Sequence, residues 1–419
     1  MTDNQKNTLP KNWDEKKLED LISYAIGGDW GKDENYQDAD YDFAYCIRGS
    51  ELKNWKEEKG KSASLRKIKK SNIIKRKLQV GDILVEISGG GPEQPVGRTV
   101  VIDQAVLNFE SHITKICTNF FRLIRPTEDV DSSFLNFFLV FFYFSGEIGK
   151  FQSGSNNLRN LKFPDYLKII IPLPPLPEQQ KIVQKIERLF TELETGTKAL
   201  KTALNQLKIY RQAVLNHFLN DESWDRARLG EVCENVVDCL HSTAKFTDTG
   251  KFCIDTNSMV QGKILLEKAR FVDEMTFNDR VRRLKPKEGD VFFSREGTVG
   301  LSAIVPADVD ICLGQRMMMF RTGKSIIPSF FSFYLQSPLF ERQYKPKISG
   351  TTVPHLNIRD TITFLIPLPP LEVQTQIVSE IEKRMTASDA LEASLKSQLM
   401  NAENLRQSIL KRAFEGKLV

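Results

Sequence analysis

The sequence predicts an α+β protein: two globular domains of mixed strands and helices in tandem repeat, separated by two long antiparallel coiled-coil helices with pseudo-twofold symmetry. Three observations lead there. The hexapeptide Ile-Pro-Leu-Pro-Pro-Leu occurs at Ile171–Leu176 and again at Ile366–Leu371. A heptad pattern follows each copy. Shorter matches upstream run in the same order in both halves, with shifts drifting from 211 to 195 positions. An internal repeat of this kind decides the architecture before any single element is read.

The repeat divides the chain into residues 1–168, a first domain; 169–222, a proline strut and helix; 223–363, a second domain; and 364–419, a second strut and helix. At the head of each domain, Trp13-Asp14 and Leu18 match Trp224-Asp225 and Leu229. Cys46-Ile47 matches Cys253-Ile254, and Gly81-Asp82 matches Gly289-Asp290. Val80–Ile87 reads as a turn entering a strand, followed by the loop Gly89-Gly90-Gly91-Pro92. In the second copy, Glu288–Phe293 leads into Ser294-Arg295-Glu296-Gly297-Thr298-Val299-Gly300. The phenylalanine-rich run Phe134–Phe144 is about half the length needed to span a bilayer, so it and its counterpart Phe330–Leu335 are expected as buried helices.

Proline fixes φ and drives the preceding residue out of the helical region, so the Ile-Pro-Leu-Pro-Pro segment is expected as a stiff, polyproline-like strut, with Pro177-Glu178 in the first turn of a helix. Beyond it, Ile182, Leu189, Gly196, Ala203 and Tyr210 recur every seven residues, as do Ile186, Leu193, Leu200, Leu207 and Val214. The second helix carries Ile377, Leu391 and Leu405, with Ile381, Leu395, Ala402 and Ile409, interrupted at Arg384, Ser388 and Gln398. That is an a/d seam. A helix of about 40 residues is about 60 Å long, enough to act as a spacer between two domains.

A chain of 419 residues with 41% apolar and 27% charged positions has ordinary globular composition, and its net charge of +5 is compatible with nucleic acid without requiring it. The six cysteines form no Cys-x-x-Cys pair and read as reduced thiols in an intracellular protein. Neither Gly-Lys-Ser has the upstream glycine of a phosphate-binding loop. No Asn/Asp-Pro-Pro-aromatic tetrapeptide of amino-methyltransferases is present. Pro164-Asp165 with Lys168 lacks the Glu-x-Lys of a nuclease, and the four histidines form no ligand set or triad. The expectation is a non-catalytic protein with no metal or cofactor of its own.

These motifs closely resemble the specificity subunit of type I restriction–modification systems. The residues that carry the resemblance are Ile366–Leu371 with Gln374 and Ile377-Val378, and their first-copy equivalents. So do Gly350-Thr351-Thr352-Val353-Pro354-His355-Leu356-Asn357, Gly289-Asp290 with Ser294–Gly300, and the terminal Ala413-Phe414-Glu415-Gly416-Lys417-Leu418. The first copy departs from the pattern at Gly154–Leu161, which replaces the Thr-Val-Pro-His-Leu-Asn form. The resemblance implies two target-recognition domains, each reading half of a bipartite asymmetric site in double-stranded DNA. It implies helices that set the spacing and dock two methyltransferase subunits, which carry S-adenosylmethionine, with motor/endonuclease subunits joining them. It also implies a cytoplasmic complex with no membrane partner. A reading of another class is a repeat-built coiled-coil scaffold that binds protein partners only.

Base readout calls for Arg, Asn, Gln, Ser, Thr and similar side chains on loops that reach a groove, whereas phosphate contact needs positive charge alone. The base-reading candidates in the first domain are Arg98, Ser155, Asn156, Asn157 and Arg159; in the second they are Arg295, Gln315, Arg316, Thr351, Thr352 and His355. For Gln315 and His355 a purely structural role stands beside this one. Lys75, Arg76 and Lys77 close the densest basic run, which begins at Arg66-Lys67, and Arg282 and Arg283, with Arg280 and Lys285, occupy a similar place in the second domain. Each patch is a phosphate contact or a solvated face.

Overall fold

The structure, a computed structural model, describes residues 9–91, 94–154, 158–240, 242–350 and 352–419. They form two compact units, one of residues 1–199 with 398–419 and the other of residues 200–397. Each unit therefore holds one globular domain, the first half of the helix that follows it, and the closing part of the other long helix.

In the first unit, β1 (Asp14–Lys17) precedes β2 (Ile22–Gly27), β3 (Tyr41–Ile47), β4 (Ser64–Lys69) and α1 (Lys70–Arg76). Then come β5 (Ile83–Glu86), β6 (Ser88–Gly90), β7 (Thr99–Val101), β8 (Thr114–Cys117) and β9 (Phe121–Pro126). The helix α2 (Ser132–Phe144), the short strands β10 (Gln152–Ser153) and β11 (Arg159–Leu161), and β12 (Ile170–Leu173) lead to the long helix α3 (Leu176–Leu219). An antiparallel sheet of order β2-β9-β5-β7 forms the centre. Beside it lies a sheet of order β4-β3-β8, whose β3–β8 pair is parallel. Strands β10, β11 and β6 make a third, antiparallel sheet.

The second unit repeats this plan. Strands β13 (Arg226–Arg228), β14 (Cys233–Asp238), β15 (Lys251–Ile254), β16 (Val291–Ser294), β17 (Ser302–Ile304), β18 (Ile311–Leu313) and β19 (Met317–Thr322) build it, with β20 (Leu365–Pro367) leading to α4 (Leu371–Phe414). The central order β14-β19-β16-β17 matches that of the first unit, and β15 pairs with β18 in parallel as β3 does with β8.

The repeated Gly-Asp is explained by the turn entering the central strand. Gly81 and Gly289 hold φ of +89° and +85°, which only glycine adopts without strain. Asp82 and Asp290 are buried and bind Arg125 and Arg321 through two bonds each, between 2.7 and 2.9 Å. Each carboxylate also accepts the N–H that opens its turn, from Gln79 at 2.7 Å and Lys287 at 2.9 Å. Hydrogen bonds to these carboxylates raise both guanidinium pKa values above the ordinary one.

The proline segment is extended, as expected, but as a paired strand rather than a polyproline-like strut. Ile170–Leu173 is an edge strand paired antiparallel with Asp14–Lys17, and Leu365–Pro367 pairs with Arg226–Arg228. An edge tolerates proline because no ladder donor is required there. The helix begins immediately after the Pro-Pro step, with Pro177 in its first turn.

One side chain fastens this joint in each unit. Gln179 is 1% exposed; its Nε2 donates to Asp129 O at 3.1 Å and Pro174 O at 2.9 Å, and its Oε1 accepts from Asp131 N at 2.8 Å. Gln374, fully buried, does the same with Ser325 O at 2.9 Å, Pro369 O at 2.8 Å and Ile327 N at 2.8 Å. The helix start is thus tied to the loop before the phenylalanine-rich helix.

Those helices are buried as the sequence indicated. In α2, Phe134, Leu135, Phe138 and Leu139 face the core; in Pro328–Leu335, Phe330, Phe331, Tyr334 and Leu335 do. The core of each unit is completed by the end of the long helix that follows the other domain. Ile409, Leu410, Ala413 and Phe414 enter the first core, where the Phe414 ring lies 5.2–5.7 Å from Phe134, Phe138 and Phe141. Val214, Leu215 and Leu219 enter the second.

Both long helices run for 44 residues. Within each unit the two helical segments are antiparallel. In the second, Arg211 bonds Asp389 and Glu392 at 2.7 Å while Arg384 lies over the Phe218 ring. In the first, Arg406 pairs with Glu194 at 4.0 Å and covers Phe190, while Leu418 lies beside Lys181 and Arg188. Arg211 and Arg406 are repeat equivalents, as are Glu194 and Asp389, so the same bridge forms twice with partners exchanged. The heptad seam is buried at Ile182, Ile186, Val214, Ile377, Ile381 and Ile409 toward the helix ends and at Leu207 and Leu395 between them. Gly196, Tyr210, Leu391 and Leu405, expected in the seam, are exposed. Helix ends dock on a domain core, whereas the middle stretches meet the other helix and single domain lysines, Lys56 on Glu194 and Lys263 on Asp389.

All six cysteines are buried and free, and burial pushes the Cys46, Cys117 and Cys233 thiols up to about 12. Among the described residues, no helix is long and apolar enough to cross a membrane.

Replacing Gln374 by Ala leaves one backbone donor and two acceptors without this partner, so urea unfolding of the full chain is expected to show a loss of about 3 kcal/mol. A loss below about 1 kcal/mol would show that the joint does not depend on this side chain.

Candidate nucleic-acid interface

In the second unit the sequence candidates converge on the segment leaving β16. Arg295 N–H donates to Arg316 O at 2.9 Å, Gly297 N–H to Pro354 O at 2.8 Å, and Leu356 N–H to Arg295 O at 2.8 Å. Ser349 and His355 exchange both backbone bonds, at 2.9 and 2.8 Å. Three loops distant in sequence, at 295–300, 314–316 and 349–357, therefore meet at one end of the central sheet.

Their side chains divide into those that hold the cluster and those that face out. Arg295 is 5% exposed; its Nε lies 2.8 Å from Asp238 Oδ1, its Nη2 3.3 Å from Asp238 Oδ2 and 2.8 Å from Glu296 Oε1. Its guanidinium is consumed inside the protein. Arg283 is exposed and donates to the Asp238 carbonyl at 3.2 Å. His355 has Ser349 Oγ 3.1 Å from Nε2 and Val353 O 3.5 Å from Nδ1, which engages both ring nitrogens. Gln315 is half-buried, whereas Arg316 and Thr352 are exposed. Arg316 has φ of +70°, and its side chain has no ion-pair or hydrogen-bond partner among the described residues. A polar cavity of about 520 Å³ opens beside the cluster, lined by Asp238, Arg295, Asn357, Ile358, Arg359 and Asp360.

The first unit has the same framework. Ile87 N–H donates to Phe120 O at 2.8 Å, and Leu161 N–H to Ile87 O at 2.9 Å. Leu161, which closes the segment divergent in sequence, thus joins the cluster by the same backbone bond. Ser88 Oγ donates to Asn160 Oδ1 at 2.6 Å, with Asn160 in the place of His355. Arg98 is held by the buried Glu86 through its Nε at 2.8 Å and through Nη2, and these bonds raise its pKa above the ordinary value. Arg159 is half-buried on β11 and has no ion-pair partner among the described residues. Ser155, Asn156, Asn157 and Thr351 lie outside the described residues.

The basic runs are less uniform than their sequence. Lys75 and Lys77 are exposed at the end of α1, and Arg76 turns back to donate to Gly27 O at 2.8 Å. Arg66 is occupied by Asp33 and the Trp30 ring. In the second unit Arg280 is buried on Leu313 O and Ser242 O, Lys285 binds Asp310 at 2.8 Å, and Arg282 pairs with Asp279 at 3.1 Å.

Two elements of the cluster escaped sequence reasoning. Asp238, the anchor of Arg295 and Arg283, sits at the end of β14 with no motif around it. Phe120 occupies in the first unit the place of Arg316. The shift of 196 that relates Ser133-Phe134 to Ser329-Phe330, carried back thirteen residues, aligns Phe120 with Arg316.

The fold and the cluster define a duplicated protein with one loop framework built twice. The family model for the type I restriction modification DNA specificity domain matches residues 10–202 and 221–401, and the chain belongs to that family. It is 24% identical to the type I restriction enzyme EcoKI specificity subunit of Escherichia coli K12, over 98% of this chain and 90% of that subunit. It is equally 24% identical to the StySPI specificity subunit of Salmonella potsdam, again covering 98% and 90%. Among solved structures it resembles a chain from a type I restriction–modification system, with a TM-score of 0.70 at 20% identity over 98% of this chain and all of that one. It also resembles the HsdS subunit of Thermoanaerobacter tengcongensis, with a TM-score of 0.57 at 20% identity over the whole of both chains.

Removing the carboxylate of Asp238 leaves the buried Arg295 with Glu296 and a 3.5 Å bond to Leu356 O. Asp238→Ala is expected to lower stability by about 3 kcal/mol in urea unfolding, and Asp238→Asn by less. Equal, near-zero effects would mean that Arg295 finds another partner.

Proposed function

We propose that this chain is the DNA-reading subunit of a type I restriction–modification complex, each unit reading one half of a bipartite, asymmetric site. The observation that carries this reading is the loop cluster itself. One backbone framework is built twice, and it presents different side chains each time. Such an arrangement suits two half-sites of unlike sequence.

The helix pair would set the distance between the half-sites: 44 residues at 1.5 Å each is about 66 Å, the length of roughly two turns of duplex. The helices also offer a surface for two methyltransferase subunits. In the second unit a groove of about 450 Å³ is lined by Ala203, Leu207, Tyr210, Ala387 and Leu391, and Ile209 on the same helix is 70% exposed. Apolar side chains left outside on a helix pair favour a partner protein. The chain itself would catalyse nothing. Methylation would belong to those subunits and their S-adenosylmethionine, cleavage to motor/endonuclease subunits, and the whole would work in the cytoplasm.

The test is base-resolution mapping of methylated adenines after co-expression with the partner methyltransferase. The expected outcome is one motif of two unlike half-sites at a fixed spacing. Methylation without any motif would favour a scaffold that binds protein only.

Lys75 and Lys77 are suited to phosphate contact. Replacing both by Ala is expected to weaken binding of every duplex alike and to lower the slope of log affinity against log salt by about 1.8. An unchanged slope would assign them to a solvated face.

A further inference from the structure

Phe120 and Arg316 occupy one position in the repeated framework. Their carbonyls accept from Ile87 N and Arg295 N, at 2.8 and 2.9 Å. The next residues pair across the central sheet in the same register, Phe121 with Glu86 and Met317 with Ser294. Two residues before them, Thr118 N donates to Ile47 O at 3.0 Å and Gly314 N to Ile254 O at 2.7 Å. The side chains also take the same course, each across the glycine of the neighbouring loop. A Cβ added to Gly89 would lie 3.4 Å from Phe120 Cδ2, and one added to Gly297 would lie 3.4 Å from Arg316 Nη1.

Neither side chain serves the fold. Phe120 is 47% exposed and belongs to no core cluster among the described residues. Arg316 is exposed and sits at a φ that non-glycine residues rarely adopt. A phenylalanine left in water and an arginine held in a left-handed conformation both oppose stability, and such costs gather at functional sites. The chemistry of the two differs in the way that base readout uses. An arginine fork matches O6 and N7 of guanine in the major groove, whereas a phenylalanine makes apolar contact with the methyl group of thymine.

We propose that Phe120 and Arg316 are the paired specificity positions of the two units, Arg316 reading a guanine in one half-site and Phe120 a thymine methyl in the other. This rests on the DNA-reading function proposed above. It adds that the same structural position in both units decides how the half-sites differ.

The experiment maps methylation motifs for the complete complex carrying the wild-type chain, Phe120→Ala, Arg316→Ala, Arg316→Gln or Phe120→Arg. Both positions lie on the surface, and circular dichroism of each full-length variant verifies folding. Arg316→Ala is expected to relax a guanine at one position of one half-site, lowering its discrimination roughly ten- to a hundredfold while the other half-site stays intact. Arg316→Gln should turn that preference toward adenine, since a glutamine amide matches N6 and N7 of adenine. Phe120→Ala should relax one thymine in the opposite half-site, and Phe120→Arg should introduce guanine there. A bipartite wild-type motif that none of the variants alters would overturn this inference alone. So would methylation that falls equally at every position, which marks a phosphate contact. A wild-type complex without a motif would overturn the DNA reading and this inference with it.

Discussion

The structure depends on the joint between each domain and the helix that leaves it, and one buried glutamine makes that joint. Gln179 and Gln374 each donate twice and accept once, and all their partners are backbone groups of the strut or of the loop before the phenylalanine-rich helix. An amide has both functions in one rigid plane, so it can satisfy carbonyls and an N–H that proline and the helix start leave open. The edge strand beside it, paired with the first strand of its domain, fixes the direction in which the helix departs. A rotation at this point would withdraw the helix from its core.

From that joint the two helices are shared between the units. Val214, Leu215 and Leu219 close the second core, and their repeat equivalents Ile409, Leu410 and Phe414 close the first. Neither domain completes its core from its own stretch of sequence. The exchanged bridges Arg211–Asp389 and Arg406–Glu194 extend this reciprocity along the helices, although as part-exposed pairs they contribute orientation more than stability.

Charge in the candidate interface is sorted by burial. Arg98 and Arg295, both prominent in sequence beside glycine loops, are spent on Glu86 and Asp238 and hold the loops in place. Arg316, Phe120 and Thr352 face out from a framework stiffened by those inward pairs, and Lys75 and Lys77 are exposed at the end of α1. A buried ion pair is costly to break, so loops held in this way can carry different outward residues without losing their shape.

The duplication, the strut, the long helices and the phenylalanine-rich core helices were all legible in the sequence, because each rests on local periodicity or on proline stereochemistry. The Gly-Asp repeat was visible too, although its meaning, a left-handed turn with a buried carboxylate on a distant arginine, was not. Tertiary structure alone decided which basic residues are free. Arg76 and Arg280 read like their neighbours, yet they turn inward to carbonyls brought close by other strands. It also decided that the heptad seam stays open at Tyr210 and Leu391 while Leu207 and Leu395 beside them are buried. Periodicity describes a helix face, whereas burial depends on what the rest of the chain places against that face, and here those partners come from more than 150 residues away.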